Sequence, residues 1–221
     1  MPVMYLVGDS TVDDNTPPFR GWGYAMRKWA AEGVEVRNLA VSGCSSRSFL
    51  NRHLFQEALD KMTSGDLLLI QFGHNDEKDD EERHTDPATT FPETLKIYLR
   101  AAAERGAVPV LCTPVSRRFF TGDGSLLYTH GEYAGAIRKL AEDEQVLLID
   151  LEKMTRSLYL ALGEEGTARL FVRLMPREHP DFPDGHDDRT HFNEQGAAEV
   201  ASLVASALRE WEVTRSFVRP V

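Results

Sequence analysis

The sequence predicts an α/β fold: a three-layer α/β/α arrangement around a five-stranded parallel sheet with flavodoxin-like strand order 2-1-3-4-5. Three observations predict it. Strand-like and helix-like stretches alternate along the chain, which calls for parallel strands joined by crossover helices. Val3–Val7 and Leu67–Ile70 are continuous apolar runs, as strands covered on both faces must be. Polar or small-residue turns follow the strand ends, where ligands sit in open α/β sheets.

Taken in order, the apolar run Val3–Val7 stops at Gly8-Asp9-Ser10-Thr11, so the first strand ends with Ser10 just past its carboxyl end. A loop punctuated by Asn15, Pro17 and Pro18 leads to a helix over Trp22–Glu32, closed by Gly33. The second strand is read at Val34–Leu39, followed by the small-residue loop Ala40–Arg47 and one helix over Phe49–Met62. Leu67–Ile70 is the third strand and runs out into Gln71–Asp76. An acidic loop, Glu77–Asp86, precedes a helix that begins at Pro87 or Pro92 and ends at Arg105. Val108–Leu111 is the fourth strand, Pro114–Thr129 a long loop, His130–Gln145 a helix and Val146–Ile149 the fifth strand. Leu151–Leu174 reads as one or two helices broken at Gly163 or Gly166, and the proline-bearing stretch Met175–Thr190 as a loop. Asn193 caps a last helix, Glu194–Trp211, whose Ala197, Val200, Val204 and Leu208 recur at helical spacing.

A chain of 221 residues with 42% hydrophobic content suits one domain, residues 1–221, with 213–221 as a carboxyl-terminal tail. The net charge of -10 speaks against a nucleic-acid surface, so an anionic ligand would need specific arginines. Strand-like sequence from residue 3 leaves no room for a signal peptide, and no apolar run is long enough to span a bilayer. The expected location is cytoplasmic. Cys44 and Cys112 sit in no metal-ligand or redox spacing and read as reduced thiols. The cluster His179, Asp181, Asp184, His186, Asp187, Asp188 and His191 offers metal-type ligands but matches no compact zinc motif; its first half reads as a solvated acidic loop.

Four polar blocks converge on one edge of the expected sheet: Gly8-Asp9-Ser10, Gly43 within Asn38–Gly43, Gly73-His74-Asn75-Asp76, and Asp188-Arg189-Thr190-His191. Singly, each has a plain alternative, such as a turn glycine or a loop asparagine. As an ordered set spanning residues 8–191 they resemble the blocks of the SGNH hydrolases, the GDSL family of esterases. Thr11 stands where the usual wording has leucine. Gly8–Thr11, Ser45–Phe49, Gln71–Asp76 and Thr190-His191-Phe192 are most similar to the rhamnogalacturonan acetylesterase branch.

That resemblance implies a serine esterase acting on O-acetyl groups of carbohydrate, with no cofactor and no metal. Ser10 would be the nucleophile, His191 its base and Asp188 the partner that orients the imidazole. The N–H groups of Ser10 and Gly43 and the Asn75 amide would form the oxyanion hole. A histidine base makes activity fall with acidification through the ordinary imidazole range, about 6.5. Asp9 reads as structural, and His74 as either pocket-lining or bonded to nearby carbonyls.

Arg47, Arg117 and Arg118 are candidates either to bind a uronate carboxylate, which favours pectic fragments as substrate, or to pair with Glu or Asp of neighbouring loops, and for Arg118 the two readings stand level. Trp22 and Phe120 are candidates either for sugar stacking or for the core. The alternatives are esterases for xylan or other sugars, short-chain esterases or thioesterases, and a catalytically idle carbohydrate-binding domain. The expected partner is an acetylated oligosaccharide, with neither nucleic acid nor membrane. For the tail, homodimerisation and the packing of Trp211 and Phe217 back onto the domain are both open.

Overall fold

A computed structural model describes residues 1–220. Its main sheet contains β1 (Val3–Gly8), β2 (Glu35–Asn38), β3 (Leu67–Gln71), β4 (Val108–Cys112) and β5 (Leu147–Ile149), in the order β2-β1-β3-β4-β5. Every neighbour pair is parallel, with Leu6 opposite Asn38 on one side and Leu69 on the other. The expected fold and strand order are therefore what the chain adopts.

The helices are α1 (Trp22–Trp29), α2 (Ser46–Asn51), α3 (Gln56–Lys61), α4 (Thr90–Glu104), α5 (Tyr133–Asp143), α6 (Leu151–Ala168) and α7 (Glu194–Arg209). Alternation along the strands divides the apolar side chains into two cores. Met4 and Leu6 pack with Trp22, Met26, Val200 and Val204, so α1 and α7 cover that face. Tyr5 and Val7 pack with Phe49, Leu95, Tyr98 and Ile137, so α2, α4 and α5 cover the other. Among the described residues, no helix is long and apolar enough to cross a membrane.

Several boundaries differ from the sequence reading, each for an identifiable reason. The first helix ends at Trp29, not Glu32, because Ala30 pairs with Val218 and the Ala31 N–H donates to the Phe217 carbonyl. The tail thus returns to the domain, with Phe217 and Val218 buried. The helix expected over Phe49–Met62 is two helices, separated where His53 takes a φ of 57°. A capping box between Ser45 and Ser48 moves its start to Ser46.

The largest miss lies beyond α6, whose kink falls at Gly163. Neither a helix to Leu174 nor a loop to Thr190 is present there. Instead β6 (Phe171–Leu174) pairs antiparallel with β7 (His186–Phe192) as a second, two-stranded sheet. β7 carries Asp188 and His191 to the carboxyl edge of the main sheet. Its end is fixed by Asn193, which caps α7 through the Gly196 N–H and donates its amide to the Arg169 and Phe171 carbonyls.

Candidate active site

The turn after β1 is held from below. The Asp9 carbonyl accepts from the N–H groups of Val12 and Asp13, both at 3.0 Å, and turns the chain. Asp9 Oδ1 accepts from the N–H and hydroxyl of Thr11. Gln71 Nε2 donates to Thr11 Oγ1 at 2.6 Å, and Trp22 Nε1 donates to Gln71 Oε1 at 2.8 Å. All four side chains are fully buried. The threonine in place of the usual leucine therefore serves as a link in a buried polar network. Trp22 belongs to this core and faces no sugar site, and Phe120 also packs against the core. Ser10 itself remains partly exposed above the network.

Ser10 Oγ lies 2.9 Å from His191 Nε2, and His191 Nδ1 lies 2.9 Å from Asp188 Oδ2. Asp188 Oδ1 accepts from the N–H groups of Thr190 and His191, both at 2.7 Å. A carboxylate only accepts, so His191 Nδ1 carries the hydrogen and Nε2 offers its lone pair to the Ser10 hydroxyl. Burial pushes the Asp188 carboxyl up, but the hydrogen bonds and charge of His191, with the Thr190 N–H, outweigh it and hold the group well below the usual carboxylate range. In this arrangement His191 Nε2 can take a proton from Ser10, and the ionised Asp188 on the other ring nitrogen stabilises the resulting imidazolium. Arg118 is not at the cleft. It is buried, pairs with Asp187 and donates to the Asp188 carbonyl, fixing the strand that carries the acid.

Facing Ser10 are Gly43 and Asn75. Gly43 has a φ of 80°, the left-handed region, and a Cβ there would project into open space. Backbone geometry therefore favours glycine, and its absent side chain leaves the space open. No backbone acceptor takes the Ser10 or Gly43 N–H among the described residues. Asn75 Nδ2 donates one hydrogen to the Cys44 carbonyl at 3.0 Å, leaving its second for the cleft.

Asp76 binds these two loops together, accepting from the Ser46 N–H at 3.0 Å, the Ser46 hydroxyl, the Gly73 N–H at 3.0 Å and Thr85 Oγ1 at 3.1 Å. Burial pushes its carboxyl up to about 6 against the pull of those donors.

His74 is 4% exposed, its Nδ1 is 3.3 Å from Asp9 Oδ2 without hydrogen-bond alignment, and its ring meets His130 edge-on at 4.5 Å. The ring bonds no neighbouring carbonyl, and His74 lines the cleft. Burial pushes His74 from 6.5 down to about 4, so the native state holds it neutral while the unfolded chain protonates. Stability from this group is lost as pH falls from about 6.5 to about 4, whereas raised Asp76 contributes the opposite slope over that range. Replacing His74 by glutamine removes only the first slope. Relative to the parent, His74→Gln should gain up to about 3 kcal/mol of unfolding free energy between those pH values, measured by urea unfolding. A pH-independent difference would contradict this.

The cleft around Ser10 has two lobes that share Ser10, Asn75 and His191. One, about 450 Å³, is lined further by Asn15, Phe19, Ser42, Gly43, His186 and Asp188. The other, about 390 Å³, is lined further by His74, Glu77, Lys78, Arg117, Phe119 and Thr190. Arg117 lines this second lobe, where it is paired with Glu77 and donates to the Thr129 carbonyl. Arg47 lines neither lobe, and its Nε is buried without a hydrogen-bond partner. Sequence reasoning missed Asn15, whose amide donates to the Ser10 carbonyl at 2.7 Å, together with Phe19, Lys78 and Phe119. Only the breaker residues around Asn15 and Phe19, and the length of the loop holding Phe119, could have pointed there.

This geometry can be set beside known proteins. Residues 6–199 match the model of the GDSL-like Lipase/Acylhydrolase family. The chain belongs to this family. It is accordingly a hydrolase of carboxylic esters. Rhamnogalacturonan acetylesterase RhgT of Bacillus subtilis is 46% identical over 94% of this chain and 89% of its own length. The probable rhamnogalacturonan acetylesterase YesY of the same organism is 37% identical over 94% of this chain and 92% of its own. Among solved structures, the YxiM protein of Bacillus subtilis superposes with a TM-score of 0.82 at 28% identity, over 95% of this chain and 56% of that one. The acetyl xylan esterase AlAXEase gives 0.66 at 21% identity, over 93% and 98%, a likeness of fold.

Proposed function

We propose that this protein removes O-acetyl groups from acetylated rhamnogalacturonan oligosaccharides through Ser10, His191 and Asp188. The observation that carries the mechanism is the continuous contact, 2.9 Å at each link, from Ser10 through His191 to Asp188, facing the Gly43 and Asn75 loops. The likeness to RhgT supports the substrate.

Ser10 Oγ attacks the acetyl carbonyl carbon as its proton passes to His191 Nε2. The carbonyl oxygen becomes an oxyanion and takes hydrogen bonds from the Ser10 and Gly43 N–H groups and the Asn75 amide. Collapse expels the sugar oxygen, which takes the proton from His191, and leaves acetyl-Ser10. Water then gives up a proton to His191 as its oxygen attacks the acyl carbon; the Ser10 Oγ–acyl bond breaks, Oγ takes that proton back from His191, and acetic acid leaves and ionises to acetate. No metal or organic cofactor is required at any step.

In the lobe beyond His74, Lys78 is exposed and the Arg117 side chain is 12% exposed, so a uronate carboxylate seated there meets two cations. Arg117 is shared with Glu77, which leaves Lys78 the less committed of the two. Lys78→Ala and Arg117→Ala should each lower kcat/KM on galacturonate-containing oligomers by about fivefold or more, mainly through KM, and leave a neutral aryl acetate unaffected. Equal losses on both substrates would remove the charge argument for a pectic ligand. Acetate release from rhamnogalacturonan oligomers and from acetyl-xylan oligomers, measured side by side, tests the substrate class directly.

A further inference from the structure

The Asp188 carboxylate has a fourth donor that the mechanism above does not use. His186, on the same strand, places Nε2 3.1 Å from Asp188 Oδ2, the oxygen that also accepts from His191 Nδ1. With Thr190 and His191 N–H groups on Oδ1, two donors meet each oxygen and leave the carboxylate no free rotation. Because the carboxylate only accepts, His186 Nε2 carries the hydrogen. The ring is held by aromatic neighbours: Phe182 at 4.5 Å between centroids and 32°, and Phe19 edge-on at 6.0 Å. Phe19 also meets the His191 ring edge-on at 5.8 Å, so one side chain braces both imidazoles. The His186 side chain stays 30% exposed in the lobe that contains Ser10, open to protons from solvent.

We infer that His186 is a positioning residue for His191 that acts through Asp188, and that its protonation state sets how strongly Asp188 supports the imidazolium. The inference rests on the Ser10–His191–Asp188 reading. As a neutral donor His186 locks the carboxylate toward His191. As a cation it shares the negative charge, and the transition state then places two imidazoliums on one carboxylate, which costs rate. The ionisable groups facing His186 are Asp188 and His191 on its own strand. The loop before α1 offers Phe19, and β6 offers Leu174 opposite in register, both uncharged. The turn before β7 offers Phe182, with His179 and Asp181 behind it.

Two substitutions separate donor from titration. His186→Gln keeps an N–H at the position of Nε2 but cannot be protonated. His186→Phe keeps the aromatic contacts but has no donor. On a small aryl acetate at mildly alkaline pH, His186→Gln should stay within about threefold of the parent, and His186→Phe should lose about tenfold in kcat. In log kcat/KM against pH, the parent should show an acid limb steeper than one proton, and both variants a shallower one. Asp76 and His74 titrate alike in all three proteins, so the difference between profiles reports His186. If both variants match the parent in rate and acid limb while Ser10→Ala is inactive, the inference is overturned and the triad reading stands. If Gln and Phe lose equally with the acid limb unchanged, His186 is only a wall of the cleft and the inference fails. Retained activity in Ser10→Ala would instead overturn the triad reading itself.

Discussion

Replacing His191 by alanine is expected to lower kcat on a small aryl acetate by about four to six orders of magnitude with little change in KM. The loss follows from two contacts that one imidazole makes at once, to Ser10 Oγ and to Asp188 Oδ2, both at 2.9 Å. Without it no base takes the proton of the serine hydroxyl as it attacks, or of the water that hydrolyses the acyl-enzyme. The substitution exposes no large cavity, since the His191 side chain is already 35% exposed, so the unfolding temperature should be little changed. Steady-state kinetics, with organophosphate labelling of Ser10 falling in parallel, checks the prediction. A loss below about tenfold would mean that another group takes the proton.

Asn75→Ala is expected to lower kcat by about two to three orders of magnitude, again with little change in KM. On the proposed mechanism the amide's second hydrogen meets the negative charge that develops in the transition state, so its removal costs more there than in the ground state. A smaller structural effect accompanies it, because the Cys44 carbonyl loses its donor. Asn75→Asp tests the sign of the interaction: a carboxylate at this place repels an oxyanion and should be at least as damaging as alanine. If Asn75→Ala raised KM and left kcat intact, the amide would be a ground-state contact only.

The parts of this molecule legible from sequence are those built from local signals. The apolar runs Val3–Val7 and Leu67–Ile70 announce strands, and Asn193 with its helical apolar spacing announces α7. The four blocks were legible as a set because each ends a strand or precedes a helix on the same edge. β7 was not legible, because His-Asp-Asp-Arg-Thr-His has no apolar alternation; its side chains face a cleft and a single neighbouring strand. The break at His53 arises from one backbone angle that no residue type announces. Trp22 and Arg118, each open in the sequence to a ligand or a structural role, are claimed by partners distant in sequence, Gln71 and Asp187. Arg47 sits next to the right loop, but neither lobe of the cleft includes it. Lys78 and His186 were submerged in acidic stretches that read as solvated, and only the folded chain brings them to Ser10's cleft.

The most direct test of the central claim is acetate release by the parent and by Ser10→Ala from acetylated rhamnogalacturonan oligomers, acetyl-xylan oligomers and an aryl acetate. Release by the parent should be strongest on the rhamnogalacturonan oligomers and abolished on all three by the substitution. Release that survives in Ser10→Ala, or a parent that prefers xylan, would contradict it.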